Sequence, residues 1–177
     1  MANATTILTS PSRGIAIRSV ADLYGPYGLN RPAEREAFVR DARRRYPSEP
    51  RAHSELVTLL LETGRNADAE AAVIEASRAV PPAGRIELAD SLWAIAGNTS
   101  NTSASEKLAR EAHALLDALL KTQPENIEAL RSKGYKLRDE AKRVPEARAK
   151  ALLAEATRLD QRIEAVRERR RKRFDER

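Results

Sequence analysis

The sequence predicts an all-α protein built from stacked helical hairpins, and three observations carry that expectation. Pro47 and Pro81 stand 34 residues apart, the period of a helix–turn–helix repeat. Pro81 and Pro124 stand 43 apart, and a nine-residue polar stretch between them, residues 97–105 (GNTSNTSAS), accounts for the excess. Each proline follows an alanine-rich segment with apolar residues at helical spacing. There its ring cannot continue a helix, and the residue before it is turned away from the α region. Strands find little support, because β-branched alternation is confined to a brief stretch from Ile15 to Val20.

Composition agrees with thin helical layers. Apolar residues make up 41% of the chain, mostly Ala and Leu, and only seven residues are aromatic. Small side chains let helix axes approach closely, whereas a compact globule of 177 residues would draw on more aromatics. The absence of cysteine removes disulfides, thiolate metal sites and cysteine nucleophiles together. The N-terminal residues lack a basic lead followed by a long apolar run, and no stretch reads as a membrane span, so the expected location is cytoplasmic. A mature exported domain would share these features.

Residues 1–30 read as an extended arm. Thr5, Thr6, Thr9, Ser10, Pro11, Ser12 and Gly14 interrupt any helical pattern, and Tyr24-Gly25-Pro26-Tyr27-Gly28 is turn chemistry. Asn30 is placed to cap a helix over 31–46, with Pro32 in its first turn and Arg43, Arg44 and Arg45 at its C-terminal end. Ala33, Ala37, Phe38, Ala42 and Tyr46 supply its apolar side.

The hairpin between Pro50 and Pro81 is the clearest. Ala52, Leu56, Leu59 and Leu60 form the stripe of its first helix, Gly64-Arg65-Asn66 the turn, and Ala69, Ala72, Val73 and Ala76 the stripe of its second. A second hairpin begins near Gly84, with Leu88, Ala89, Leu92 and Ala96 on one face. Residues 97–105 are expected to form a loop before a helix over 106–122. A third starts at Ile127, carries Leu130, Gly134 and Leu137, and continues from about Pro145 in a long helix reaching Phe174.

Leu56, Leu60, Gly64, Ala69, Ala76 and Pro81 fall at the signature spacings of the tetratricopeptide repeat family, which this chain resembles over about residues 33–160. His53 and Val57 depart from the pattern, standing where the family prefers Trp or Leu and Gly or Ala. The resemblance implies a right-handed α-solenoid of about three hairpins, with close contacts at Ala69, Ala76 and Gly134. First helices would line a concave binding face. Domain boundaries follow: an arm over 1–30, repeats over 31–160 and a basic helix end or tail over 161–177. The carboxylate clamp of the chaperone-binding members is missing, because Ser54, Thr58, Glu128 and Ser132 occupy its places.

Catalytic chemistry finds no footing in the sequence. His53 and His113 are the only histidines and neither lies in a metal-ligand pattern. Acidic pairs such as Asp68/Glu70 and Asp139/Glu140 sit among Arg and Lys, as solvated ion pairs do. Serines lack an elbow motif, and phosphate-binding glycine loops are absent. The expectation is a non-enzyme with no catalytic residues, no metal and no cofactor. The Asn98-Thr99-Ser100 and Asn101-Thr102-Ser103 triplets match a glycosylation pattern by composition alone.

Two functions remain. The first is an adaptor or assembly subunit that binds a protein or peptide partner on the helical-repeat groove. The second is a nucleic-acid-associated accessory protein held by its C-terminal end, where nine cations face five anions over 158–177 in a chain of net charge +6. Candidate partner-binding residues are Trp93, Tyr24, Tyr27, Arg51, Thr58 and Arg131, with Arg169, Arg170 and Arg171 as the polyanion contact. Trp93 is equally a core residue on an apolar helix. Tyr24 and Tyr27 either fold back on the stack or anchor a partner.

Overall fold

The computed structural model describes residues 13–175, which form eight α-helices and one 3-10 turn, with no strand among the described residues. The helices are α1 (Arg13–Tyr24), α2 (Pro32–Arg45), α3 (Pro50–Glu62), α4 (Asn66–Ala79), α5 (Arg85–Asn98), α6 (Thr102–Thr122), α7 (Ile127–Ala141) and α8 (Glu146–Asp175). Packing divides the chain into two units, Met1–Glu111 and Ala112–Arg177, with the division falling inside α6.

In the first unit α1 packs on α2 and α3, α2 on α3, and α3 on α4 and α5. The first correction concerns the arm. Residues 13–24 form a packed helix, while residues 1–12 of the expected arm lie outside the described residues. Ile17 and Ala21, four apart on one face, are both fully buried. Ile17 joins Ala42 and Ala52 in a cluster flanked by Ala16, Phe38 and Tyr46. The Arg13 guanidinium lies 4.4 Å from the Tyr46 ring centroid, a cation–π distance. The Ile15–Val20 stretch is therefore helical, because its apolar residues find partners at helical spacing on α2 and α3. Helix α2 thus has a helical partner, α1, on its N-terminal side.

Asn30 is a second correction. It sits in the left-handed region (φ 49°) and ends the turn after α1, where the Leu29 N–H donates to the Leu23 carbonyl at 2.7 Å. Arg31 takes the N-cap position without a side-chain cap bond, and Pro32 opens α2 as expected.

With α1, α2, α4 and α5 around it, α3 is buried continuously from Ala52 to Val57. His53 is enclosed there with Nε2 2.7 Å from the Pro47 carbonyl oxygen. Ala69, Ala72, Val73 and Ala76 are buried on α4 as their spacing predicts. Gly64 turns the hairpin at φ 72°, a conformation that side chains resist. At Gly84, a Cβ would meet Pro50 Cγ at 2.8 Å and Val80 Cγ1 at 2.9 Å, so glycine is what lets the start of α5 close against the start of α3.

The nine-residue loop is a third correction. Helix α5 continues through Gly97 to Asn98 and α6 already begins at Thr102, leaving residues 99–101 as the connection. Asn101 Oδ1 accepts from the Ala104 N–H at 3.0 Å, which satisfies an otherwise unpaired donor of the first turn. Ala104 is buried. A run of Asn, Thr and Ser reads as loop, but here it divides between two helix ends and one cap.

In the second unit α7 packs along α8. Leu115, Leu116 and Leu119 of α6, Leu130 and Leu137 of α7, and Leu159 and Ile163 of α8 are all buried. Asn126 caps α7 by accepting from the Ala129 N–H at 3.0 Å. Lys133 joins three helices, with Nζ 2.5 Å from Asp117 Oδ1 on α6 and 2.9 Å from Glu155 Oε1 on α8. Burial alone would lower the Lys133 pKa; the two carboxylate bonds more than reverse that and hold it above the usual lysine value. Gly134 is buried, yet a Cβ there would meet only the Arg138 guanidinium on its own helix, at 3.3 Å. The close inter-helix contact expected at Gly134 is therefore absent. At 30 residues, α8 is about 45 Å long, and its buried positions end at Val166.

Candidate binding cleft

Helices α1, α3 and α5 each turn one stripe to a common space. Arg18 and Asp22 lie four apart on α1; Arg51, Ser54, Glu55 and Thr58 repeat at three- and four-residue steps on α3. Ser91, Ala94, Ile95 and Asn98 do the same on α5. Together with Arg35 of α2 they line a cleft of about 500 Å³. The helical period that buries Leu56, Leu59 and Leu60 on one side of α3 puts these polar residues on another.

Charge in the cleft is dense and mostly paired. Arg18 Nε lies 3.6 Å from Asp22 Oδ2, Arg35 contacts Glu62, and an Arg51 guanidinium nitrogen lies 3.6 Å from Glu87 Oε1. Arg35 is only 6% exposed, and its Nε, sealed from solvent, has no hydrogen-bond partner among the described residues. Glu55 is 7% exposed and makes no hydrogen bond or ion pair among the described residues. Burial first, and then the neighbouring Asp22, push its carboxyl above the ordinary range, against Arg51, Arg35 and Arg18, which pull it down. Glu87 is also raised, chiefly by burial.

Two hydroxyls of the cleft, both on α3, point their hydrogens into the scaffold. Ser54 Oγ donates to the Arg51 carbonyl at 3.1 Å and Thr58 Oγ1 to the Ser54 carbonyl at 3.0 Å. Their oxygens keep lone pairs for an incoming donor.

Of the residues singled out from sequence, the cleft brings together Arg51 and Thr58. Trp93 is half-buried on α5 but lies outside the cleft lining, and Tyr24, half-buried, does too. Tyr27 is fully exposed in the turn after α1. Arg131 is exposed on α7, in the second unit. Arg169, Arg170 and Arg171 are exposed on α8, where Arg169 lies 2.9 Å from Glu125 Oε1 and Arg170 donates to the Glu125 carbonyl at 3.3 Å. Sequence reasoning missed Glu55, Arg35, Arg18 and Ser91. The signal for Glu55 was a lone acid flanked by Leu56 and Val57 on a strongly apolar helix; Arg18 and Asp22 were hidden by the reading of α1 as an arm.

Among the described residues no three His, Asp or Glu side chains gather as a metal site, and no helix is long and apolar enough to cross a membrane. Compared with protein-family models the chain matches none, and no curated protein matches it.

Proposed function

We propose that this protein is a non-catalytic interaction module that binds a protein or peptide segment in the cleft between α1, α3 and α5. The observation that carries this reading is the packing of α1 on α3 and α3 on α5, with one stripe of each facing the same cleft. Neighbouring first helices are what a right-handed stack of tetratricopeptide-like hairpins places side by side, and that arrangement is part of the proposal. A cleft of about 500 Å³, lined by fixed ion pairs and helix-bound hydroxyls, offers shape and directed acceptors to a partner.

Selection of peptides from a random display library on the full-length protein tests it. Peptides so obtained should bind wild type and lose binding in Thr58→Arg, which fills the middle of the cleft. Undiminished binding to Thr58→Arg would contradict the reading.

The second reading, polyanion contact through the basic end, is supported by the exposure of Arg158, Arg171 and Arg173 on α8. It is weakened at Arg169 and Arg170, whose guanidinium groups already engage Glu125. Retention on RNA or DNA that falls steeply with salt, and disappears in an Arg171→Glu, Arg173→Glu double variant, would favour it.

A further inference from the structure

Glu55 is the one cleft carboxylate left over. Asp22 is matched by Arg18, Glu62 by Arg35, and the adjoining Glu87 by Arg51, whereas Glu55, 7% exposed, has no partner within hydrogen-bond or ion-pair distance among the described residues. A buried carboxylate without a partner is costly, and folding sequences seldom retain one in a helix that could carry leucine there. The lining itself holds three arginines and three acids, but Arg51 pairs with Glu87 outside it and so leaves Glu55 over.

Two hydroxyls next to Glu55 on the same stripe of α3 also present acceptors. Ser54 and Thr58 spend their hydrogens on α3 carbonyls and leave oxygen lone pairs available beside Glu55. The unmatched donor nearby, Arg35 Nε, is sealed from solvent and out of reach of an incoming group. The Ser54, Glu55 and Thr58 stripe thus offers acceptors, and its complement is a group that only donates.

We propose that Glu55 anchors a cationic group in this cleft, an ammonium or guanidinium borne by a lysine or arginine side chain of the bound segment; the inference rests on the cleft being the binding surface. The side chain enters between α1, α3 and α5, its charge meets the Glu55 carboxylate, and its remaining N–H groups meet the Ser54 and Thr58 oxygens. A charge-assisted bond of this kind would give the Glu55 carboxylate the partner it lacks among the described residues.

The test uses the full-length protein and fluorescence anisotropy with a short labelled peptide of lysine, glycine and serine. Its counterpart has glutamate for lysine, and free spermidine serves as a competitor. The lysine peptide should bind, and Glu55→Gln should weaken it at least about tenfold. Glu128→Gln, the same charge change on exposed α7, should leave it unchanged. Thermal denaturation of Glu55→Gln should show a fold at least as stable as wild type, so that lost binding reports the lost charge. Failure of the lysine peptide to bind, or equal binding by Glu55→Gln and wild type, overturns the anchor. Spermidine binding that depends on Glu55, with no peptide binding at all, upholds the anchor and overturns the peptide reading. Library-selected peptides that lack basic residues, are lost in Thr58→Arg and survive Glu55→Gln overturn the anchor while the cleft reading stands.

Discussion

The Ser105 hydroxyl donates to the Ala96 carbonyl oxygen at 2.8 Å, joining the first turn of α6 to the last turn of α5. The bond satisfies a helix-end carbonyl and holds Ala104 in its buried position. Residues 97–105 are therefore structure rather than a dispensable insertion. Asn101→Ala and Ser105→Ala should each cost about 1 kcal/mol in chemical denaturation. Deleting 97–105 should lower the thermal midpoint well beyond either. A deletion variant as stable as wild type would show these contacts to be idle.

His53 should make stability pH-dependent. Its Nε2 faces the Pro47 carbonyl at 2.7 Å, so the proton sits on that nitrogen, and Nδ1 is buried without a partner among the described residues. Burial, opposed by the Pro47 bond and assisted by Arg43, lowers its pKa below the ordinary 6.5. Between the lowered value and 6.5 the unfolded chain binds more protons than the folded one, so stability is present above 6.5 and lost as pH falls. His113, also lowered chiefly by burial, acts in the same direction. Urea titrations across this range should show the slope, and His53→Gln should reduce it. An unchanged slope in that variant would remove His53 from the account.

Glu55 has the opposite sign. Its carboxyl is raised above the ordinary 4.5, so the stability it contributes is complete below 4.5 and lost as pH rises through the folded value. Because burial disfavours the charged form of this carboxyl, Glu55→Gln should stabilise the protein at neutral pH by on the order of 1 kcal/mol. A stabilising substitution that also abolishes cation binding separates a functional group from a structural one. Destabilisation at neutral pH would show that the carboxylate holds the fold.

Legibility followed the strength of the local signal. The Pro50–Pro81 hairpin was readable because Leu56, Leu60, Ala69 and Ala76 repeat cleanly and Gly64 and Pro81 punctuate them; α3 and α4 occupy those places. Helix α1 was hidden by the Thr, Ser and Pro of residues 1–12, and its short face of Ile17 and Ala21 gains meaning only against α2 and α3. Asn101 is chemically as good a cap as a loop residue, and only the Ala104 N–H decides between them. Within the cleft, Arg51 and Thr58 were within reach because the family resemblance implies that first helices line the binding face, while Glu55, Arg35 and Ser91 depend on neighbours distant in sequence.

Lys133 offers a test in the second unit. Its two carboxylate partners lie on α6 and α8, but both are nearly half exposed, at 48% and 44%, so solvent screens much of the attraction. Lys133→Met should therefore cost only about 1 kcal/mol in denaturation. A loss several times larger would mean that the three-helix junction depends on the charge itself.

Site mapping tests the central claim most directly. A photo-crosslinking residue placed at Ala94, an exposed position on the α5 wall of the cleft, should capture a library-selected peptide in high yield. The same residue placed at Arg171 on α8 should capture little of it. Capture at Arg171 without capture at Ala94 would contradict the cleft and make the basic helix end the functional element.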